Sequence, residues 1–148
     1  MTFRKDTHVS RGLTSQTVIL AELVKRGYEV LLPWGDNRRY DLAYIEPGKW
    51  FKGVHLVRVQ CKQGWLEREN GTIVFNTVNV GVRPGRNHHI RNYIGDAEIF
   101  AVYVPDIEKV YMVPIEMTSR ASKGYLRLAP TKNNQKKNIV WASDFELR

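Results

Sequence analysis

The sequence predicts an α/β fold, a mixed central β-sheet flanked by helices. One amphipathic helical segment opens the chain, several short apolar runs of strand length follow it, and turn residues separate those runs. At 148 residues the chain is long enough to bury a substantial core, and it reads as one domain over residues 1–148. A hydrophobic fraction of 43% against 26% charged residues is ordinary for a globular protein, which argues against disorder.

The elements follow in order. Leu13, Thr17, Leu20 and Val24 recur at helical spacing and set a helix over residues 14–26 that Gly27 ends. Residues 28–32 read as a short buried strand stopped by Pro33 and Gly35, and residues 39–45 as a second strand. Glu46-Pro47-Gly48-Lys49 is turn chemistry. A third strand covers residues 54–62 and a fourth residues 72–80, followed by a polar basic loop. Residues 97–104 and 109–114 form a hairpin around Pro105-Asp106. From Thr118 the tail is basic, with Leu126, Leu128, Val140, Trp141 and Phe145 available to pin it to the body. Neither an internal repeat nor a low-complexity tract interrupts this order.

The net charge of +8 is unevenly spread. Between Glu69 and Asp96, and again between Glu116 and Asp144, the chain has no acidic residue, and these two windows hold nine of the 23 basic residues. The remainder is close to neutral. Positive charge segregated in this way is the footprint of a polyanionic partner, although isolated basic runs are often only a solvated surface. No apolar run is long enough to span a membrane and the opening residues lack a secretory apolar stretch, so a cytoplasmic protein with no membrane partner is expected. Cys61 is the single cysteine, which excludes disulfides within one chain and cysteine-based zinc sites.

The most informative pattern is Asp41, followed by a strand that ends Val59-Gln60-Cys61-Lys62. Alternate strand side chains share a face, so Gln60 and Lys62 point one way and Val59 and Cys61 the other. If the Asp41 segment pairs with this strand, a carboxylate, an amide and an ammonium converge at one end of a small sheet. Asp41 then suits Mg²⁺, which prefers carboxylate, water and phosphate oxygens, and the backbone carbonyl of Cys61 adds a further oxygen. Lys62 suits binding a phosphate, orienting water or neutralising developing negative charge. Metal-assisted attack of water on a phosphodiester fits these parts. An Asp followed by Gln-x-Lys also arises by chance, so the triplet gains its weight from the strand before it and the basic windows.

These residues resemble a known superfamily. Gly12 and the helix to Gly27, Tyr28-Glu29-Val30, Pro33-Trp34-Gly35-Asp36-Asn37, Tyr40-Asp41-Leu42 and Val59-Gln60-Cys61-Lys62 look like the PD-(D/E)XK nuclease core. Tyr111-Met112-Val113-Pro114 and Pro130-Thr131-Lys132-Asn133-Asn134-Gln135 look like its branch of bacterial intron-encoded homing endonucleases. The resemblance implies catalytic roles for Asp41, Gln60, Lys62 and Gln16, with Asp41 and Cys61 at the metal. It also implies Mg²⁺, with Mn²⁺ as a substitute, and double-stranded DNA as substrate.

Two departures both remove negative charge. Gln60 stands where the superfamily has an acid, and Gln16, with its partner Leu23, stands where the first helix often has Glu. Glu22 lies about 240° further around the helix at roughly 100° per residue and is a poor substitute. Asp36 is a candidate extra carboxylate in a Gly-Asp-Asn context that equally suits a turn.

For such a nuclease the acid-free stretch 76–93 is the expected reading surface, with Asn76, Asn79, Arg83, Arg86, His88, His89 and Arg91. Lys132, Lys136 and Lys137 suit phosphate contacts. His88-His89, without acidic or thiol neighbours, reads as a DNA contact rather than a metal site. Trp34, Trp50, Trp65 and Trp141 default to core packing, with base stacking as the alternative. Cutting both strands of a duplex takes two active sites, which implies a homodimer or larger assembly, and the resemblance to the intron-encoded branch implies a homotetramer. The alternatives are a restriction or junction-resolving nuclease on the same core, and a catalytically inactive DNA-binding module.

Overall fold

Helix α1, His8–Lys25, starts six residues earlier than the apolar spacing predicts. The computed structural model describes residues 7–35, 38–46, 53–81, 89–118, 122–133, 135 and 137–148. The early start is set by a cap. The Thr7 hydroxyl accepts from the Ser10 amide and the Ser10 hydroxyl accepts from the Thr7 amide, so two amide groups at the helix start are satisfied reciprocally. Gly27, at φ +82°, lets the chain leave the helix in the left-handed conformation.

The face of α1 that packs differs from the expected one. Ser15, Ile19 and Leu23 are buried, whereas Leu13 and Val24 are 63% and 56% exposed. The buried stripe starts with a serine, which an apolar count discards, and so the reading chose the neighbouring stripe.

The strands are β1 (Val30–Leu31), β2 (Leu42–Ile45), β3 (Leu56–Glu67), β4 (Thr72–Asn76), β5 (Asn79–Gly81), β6 (His89–Arg91), β7 (Ile99–Val104), β8 (Lys109–Pro114) and β9 (Lys123–Arg127). Seven of them form one mixed sheet around β3. The first half of β3 pairs antiparallel with β2, from Leu42 opposite Val59, and parallel with β7, from Val59 opposite Ile99. Its second half pairs antiparallel with β4, which in turn pairs with β9. β7 and β8 form the predicted hairpin, with Ile99 opposite Pro114. β5 and β6 form a separate two-stranded ribbon.

Several expectations shift. β1 is a half-buried two-residue edge strand rather than a buried run, because it borders only β2. β3 continues five residues beyond Lys62, since Gly64 carries it across to β4. The single strand expected over residues 72–80 is two, β4 and β5, parted at Thr77 and Val78. Among the described residues α1 is the one α-helix; two short 3-10 turns, Ile115–Met117 and Ala142–Asp144, complete the helical content. No described helix is long and apolar enough to cross a membrane.

Alternation along the strands makes a core on each face of the sheet. Under α1 lie Ile19, Leu23, Leu42, Val59, Ala101, Val110 and Leu147. On the opposite face lie Phe75, Tyr93, Phe100, Val102, Tyr111 and Leu126. The tail is pinned as expected through Leu126, Val140 and Phe145, and its end returns to β8 through Met112 N–H donating to the Phe145 carbonyl at 2.7 Å. Leu128 is exposed instead.

Gly124 on β9 sits opposite Phe75 on β4, and a β-carbon there would lie 2.3 Å from the tip of the Phe75 ring. The ring is fully buried and cannot swing clear. Gly124→Ala is therefore expected to destabilise the fold by about 1–3 kcal/mol, the usual cost of overpacking a close-packed core. Thermal or urea unfolding checks this, and an unchanged midpoint would mean that Phe75 has room to move.

Candidate active site

The site forms where β2 begins. The Asp41 amide donates to the Val59 carbonyl at 2.8 Å, so the β2–β3 ladder reaches back to Asp41 before β2 proper. Further along β3, the amide of Cys61 is met by a side chain instead of a strand. Asp41 Oδ2 accepts from Cys61 N–H at 2.7 Å and from Gln60 Nε2 at 2.6 Å. Groups on one strand residue share an edge, so the Cys61 carbonyl faces the same side as its amide.

Gln60 and Lys62 share the face opposite α1, while Val59 and Cys61 pack toward the helix. Lys62 Nζ donates to the Tyr93 hydroxyl at 3.2 Å and stands 4.4 Å from the centre of its ring. Tyr93 is fixed in turn. Arg39 lies over the same ring at 4.7 Å, pairs with Asp96 at 2.9 Å and donates to the Asn92 carbonyl at 2.8 Å. Gln16, from α1, reaches the Asp41 backbone carbonyl at the long distance of 3.5 Å. The four residues singled out in the sequence thus lie together, Gln16 by a weak contact. Glu22 is engaged by Lys25 and Arg26 on its own helix.

Burial governs the protonation equilibria. Desolvation raises the Asp41 pKa, against the Cys61 amide, the Lys62 charge and the Gln60 amide, all of which favour the carboxylate. Desolvation lowers Lys62 to about 8, with Asp41 opposing and Arg39 reinforcing. Burial also pushes the Cys61 thiol up, which keeps it protonated in its apolar surroundings.

The donor set suits a hard, largely hydrated cation. Asp41 offers one carboxylate, Gln60 an amide oxygen and Cys61 its carbonyl, leaving other positions to water and phosphate. Cys61 enters by its backbone only, since its sulfur packs on the helix side. No group of three or more His, Cys, Asp or Glu side chains that would suit a metal occurs among the described residues.

A groove of about 750 Å³ runs from this site, lined by Lys62, Trp65, Asn76, Asn79 and Lys123 and by His8, Arg11 and Gly12 of α1. Asn76 and Asn79 are therefore placed beside Lys62. Asn79 is also the cross-strand partner of the exposed Arg91 in the β5–β6 ribbon. His89 lies on β6, paired with Gly81. Lys132 and Lys137 are exposed on the loop after β9 and do not line the groove. Arg83, Arg86, His88, Lys136, Asp36 and Trp50 lie outside the described residues.

The sequence reading passed over Tyr93, Arg39 and Lys123. Lys123 falls in a basic window, but only tertiary contact sets its ammonium 5.5 Å from the Trp65 ring. Nothing in the local pattern around Tyr93 marks it.

The sequence pattern of PD-(D/E)XK endonucleases matches residues 6–148. The chain belongs to the PD-(D/E)XK endonuclease family. Comparison with curated proteins gives no match. Among solved structures, that of a bacterial homing endonuclease, I-Ssp6803I, is similar with a TM-score of 0.71, covering 95% of this chain and 89% of that one at 22% identity. The likeness shows a shared fold, and family membership makes DNA the substrate class.

The Lys62 shift has a consequence for the metal-free protein. A lysine whose folded pKa is about 8 and whose unfolded pKa is 10.5 disfavours the folded state below pH 8. That cost fades as pH rises from 8 toward 10.5, where the unfolded chain alone still holds the proton. Lys62→Met is expected to raise stability at pH 7 by about 1 kcal/mol, after discounting for solvent screening, and the gain should shrink across that window. Chemical unfolding at pH 7 and pH 10 measures it; equal gains at both would sink the assignment.

Proposed function

We propose that this protein is a divalent-metal-dependent endonuclease of homing type that hydrolyses both strands of duplex DNA at a preferred site. One observation carries the reading: within a PD-(D/E)XK fold, the Asp41 carboxylate is bonded to the Gln60 amide and the Cys61 N–H, with the Lys62 ammonium on the Gln60 face. The expected ion is Mg²⁺, with Mn²⁺ able to substitute. Bound by Asp41, Gln60 and the Cys61 carbonyl, it would supply Lewis acidity toward a phosphoryl oxygen.

This chain's own groups supply the rest. Lys62 is held by Tyr93 on the strand face that would meet the scissile phosphate, where an ammonium neutralises charge developing on the phosphorane and orients water. Gln16 steadies the Asp41 backbone. Asn76, Asn79 and Lys123, along the groove, offer base-edge and phosphate contacts next to the cut. Arg91, Lys132 and Lys137, with Arg83, Arg86, His88, His89 and Lys136, extend the basic surface expected to hold the duplex. Two such sites are needed to cut two antiparallel strands, which supports action as a homodimer or homotetramer.

A second reading has its own support. A single carboxylate among the described site residues, with amides at 60 and 16, gives a divalent ion less charge than the family pattern. A DNA-binding module that has lost cleavage is consistent with that.

The two readings separate experimentally. Asp41→Ala and Lys62→Ala should each reduce plasmid cleavage in Mg²⁺ by about 10²-fold or more while leaving salt-dependent duplex binding intact. A wild type that binds duplex tightly yet stays inert in both Mg²⁺ and Mn²⁺ would establish the module. Gln60→Glu adds a charge at the ion and should tighten divalent binding by roughly tenfold on titration calorimetry; weaker binding would remove Gln60 from the metal site.

A further inference from the structure

Trp34 is the most exposed large apolar side chain described, at 93%, and the residues on either side of it line a pocket that contains Asp41. Its sequence neighbours Leu32, Pro33 and Gly35, with Arg38, form one wall of a pocket of about 380 Å³. Gln16, Tyr40 and Asp41 form the other wall. The indole has no hydrogen-bond or ring partner among the described residues. Its backbone, by contrast, is held: the Trp34 carbonyl accepts from Arg38 Nε at 3.3 Å, and Gly35 turns the chain at φ +84°. An exposed aromatic face, with exposed Leu32 nearby in sequence, therefore lies beside the pocket that contains Asp41.

We propose that Trp34 contacts a nucleobase beside the scissile phosphate, stacking on it or wedging into the step so that the DNA is locally unstacked when the phosphodiester reaches Asp41. This rests on the nuclease reading and deepens it. Aromatic side chains stack on any base, and apolar wedges inserted between base pairs kink the duplex. The position favours nucleic acid over a protein partner. A protein seated on the indole would cover the mouth of the pocket, whereas a DNA strand entering it brings phosphate to Asp41 and a base to Trp34 together. Arg38 on the same loop and the net charge of +8 suit a polyanion. The sequence at the cut is then chosen partly by how easily a base step opens, which favours flexible pyrimidine–purine steps without a direct base contact.

The experiment uses the full chain. Cleavage of supercoiled plasmid in Mg²⁺ locates a cut, and a short duplex spanning it carries 2-aminopurine beside the scissile phosphate, with Ca²⁺ in place of Mg²⁺ to hold the complex uncut. Wild-type binding should raise the 2-aminopurine fluorescence. Trp34→Ala, at a solvent-exposed position, should keep its melting temperature, lose that rise and bind roughly tenfold more weakly. Trp34→Phe should keep most of both. A mismatch at the marked step should return Trp34→Ala cleavage toward wild type, because the step is already open. The proposal is overturned if Trp34→Ala binds, cuts and unstacks like wild type. It is overturned in favour of a protein contact if Trp34→Ala changes only the sedimentation of the free protein. If the wild type binds without cutting, the nuclease reading ends, and 2-aminopurine scanned through the duplex supports the wedge where a step brightens with wild type but not with Trp34→Ala and overturns it where none does; a wild type that binds no duplex ends both.

Discussion

The candidate site depends on how one backbone amide is satisfied. The β2–β3 register ends at Val59, so among the described residues the N–H of Cys61 has no partner in that ladder. A buried donor left unpaired costs about 1–3 kcal/mol. The Asp41 carboxylate fills that place, and in doing so it is fixed against the sheet edge within reach of the Gln60 amide. A structural requirement of the sheet and the placement of the Asp41 carboxylate are thus the same hydrogen bond. The half-buried setting that raises the Asp41 pKa is the consequence.

A second chain of contacts fixes the cation. Lys62 rests on Tyr93, Tyr93 is covered by Arg39, and Arg39 is tied to Asp96. Asp96 also meets Arg91, the last residue of β6, at 3.5 Å. The segment from the β5–β6 ribbon to β7 therefore carries the residues that hold Lys62 in place. The β5–β6 ribbon and Lys62 are thus joined by a short, charged and partly buried path, which ties the placement of one to the placement of the other.

Charge at the site is sparse on the negative side. Asp41 feels the Lys62 charge, and the side chains that reach it from positions 60 and 16 are neutral amides. With fewer anions to repel one another, the described site is less strained electrostatically than a cluster of carboxylates would be. On the metal-dependent reading proposed above, phosphate would be a larger share of the ion's ligands than in a site with two or three carboxylates.

Much of this was written in the local sequence. The hairpin around Pro105-Asp106, the alternation that separates Gln60 and Lys62 from Val59 and Cys61, and the motif spacing around Asp41 are short-range patterns, and period-two alternation fixes faces without any knowledge of the partner. The family likeness was legible for the same reason. The start and buried face of α1 were not, because Thr7, Ser10 and Ser15 act through capping and close packing rather than through hydrophobicity. Nor were the pairing of Lys62 with Tyr93, the continuation of β3 past Gly64 to pair with β4, or the exposure of Trp34, whose default reading was core. Each of these joins residues far apart in the chain or turns on which surface a sheet edge leaves open, and only the assembled sheet decides that.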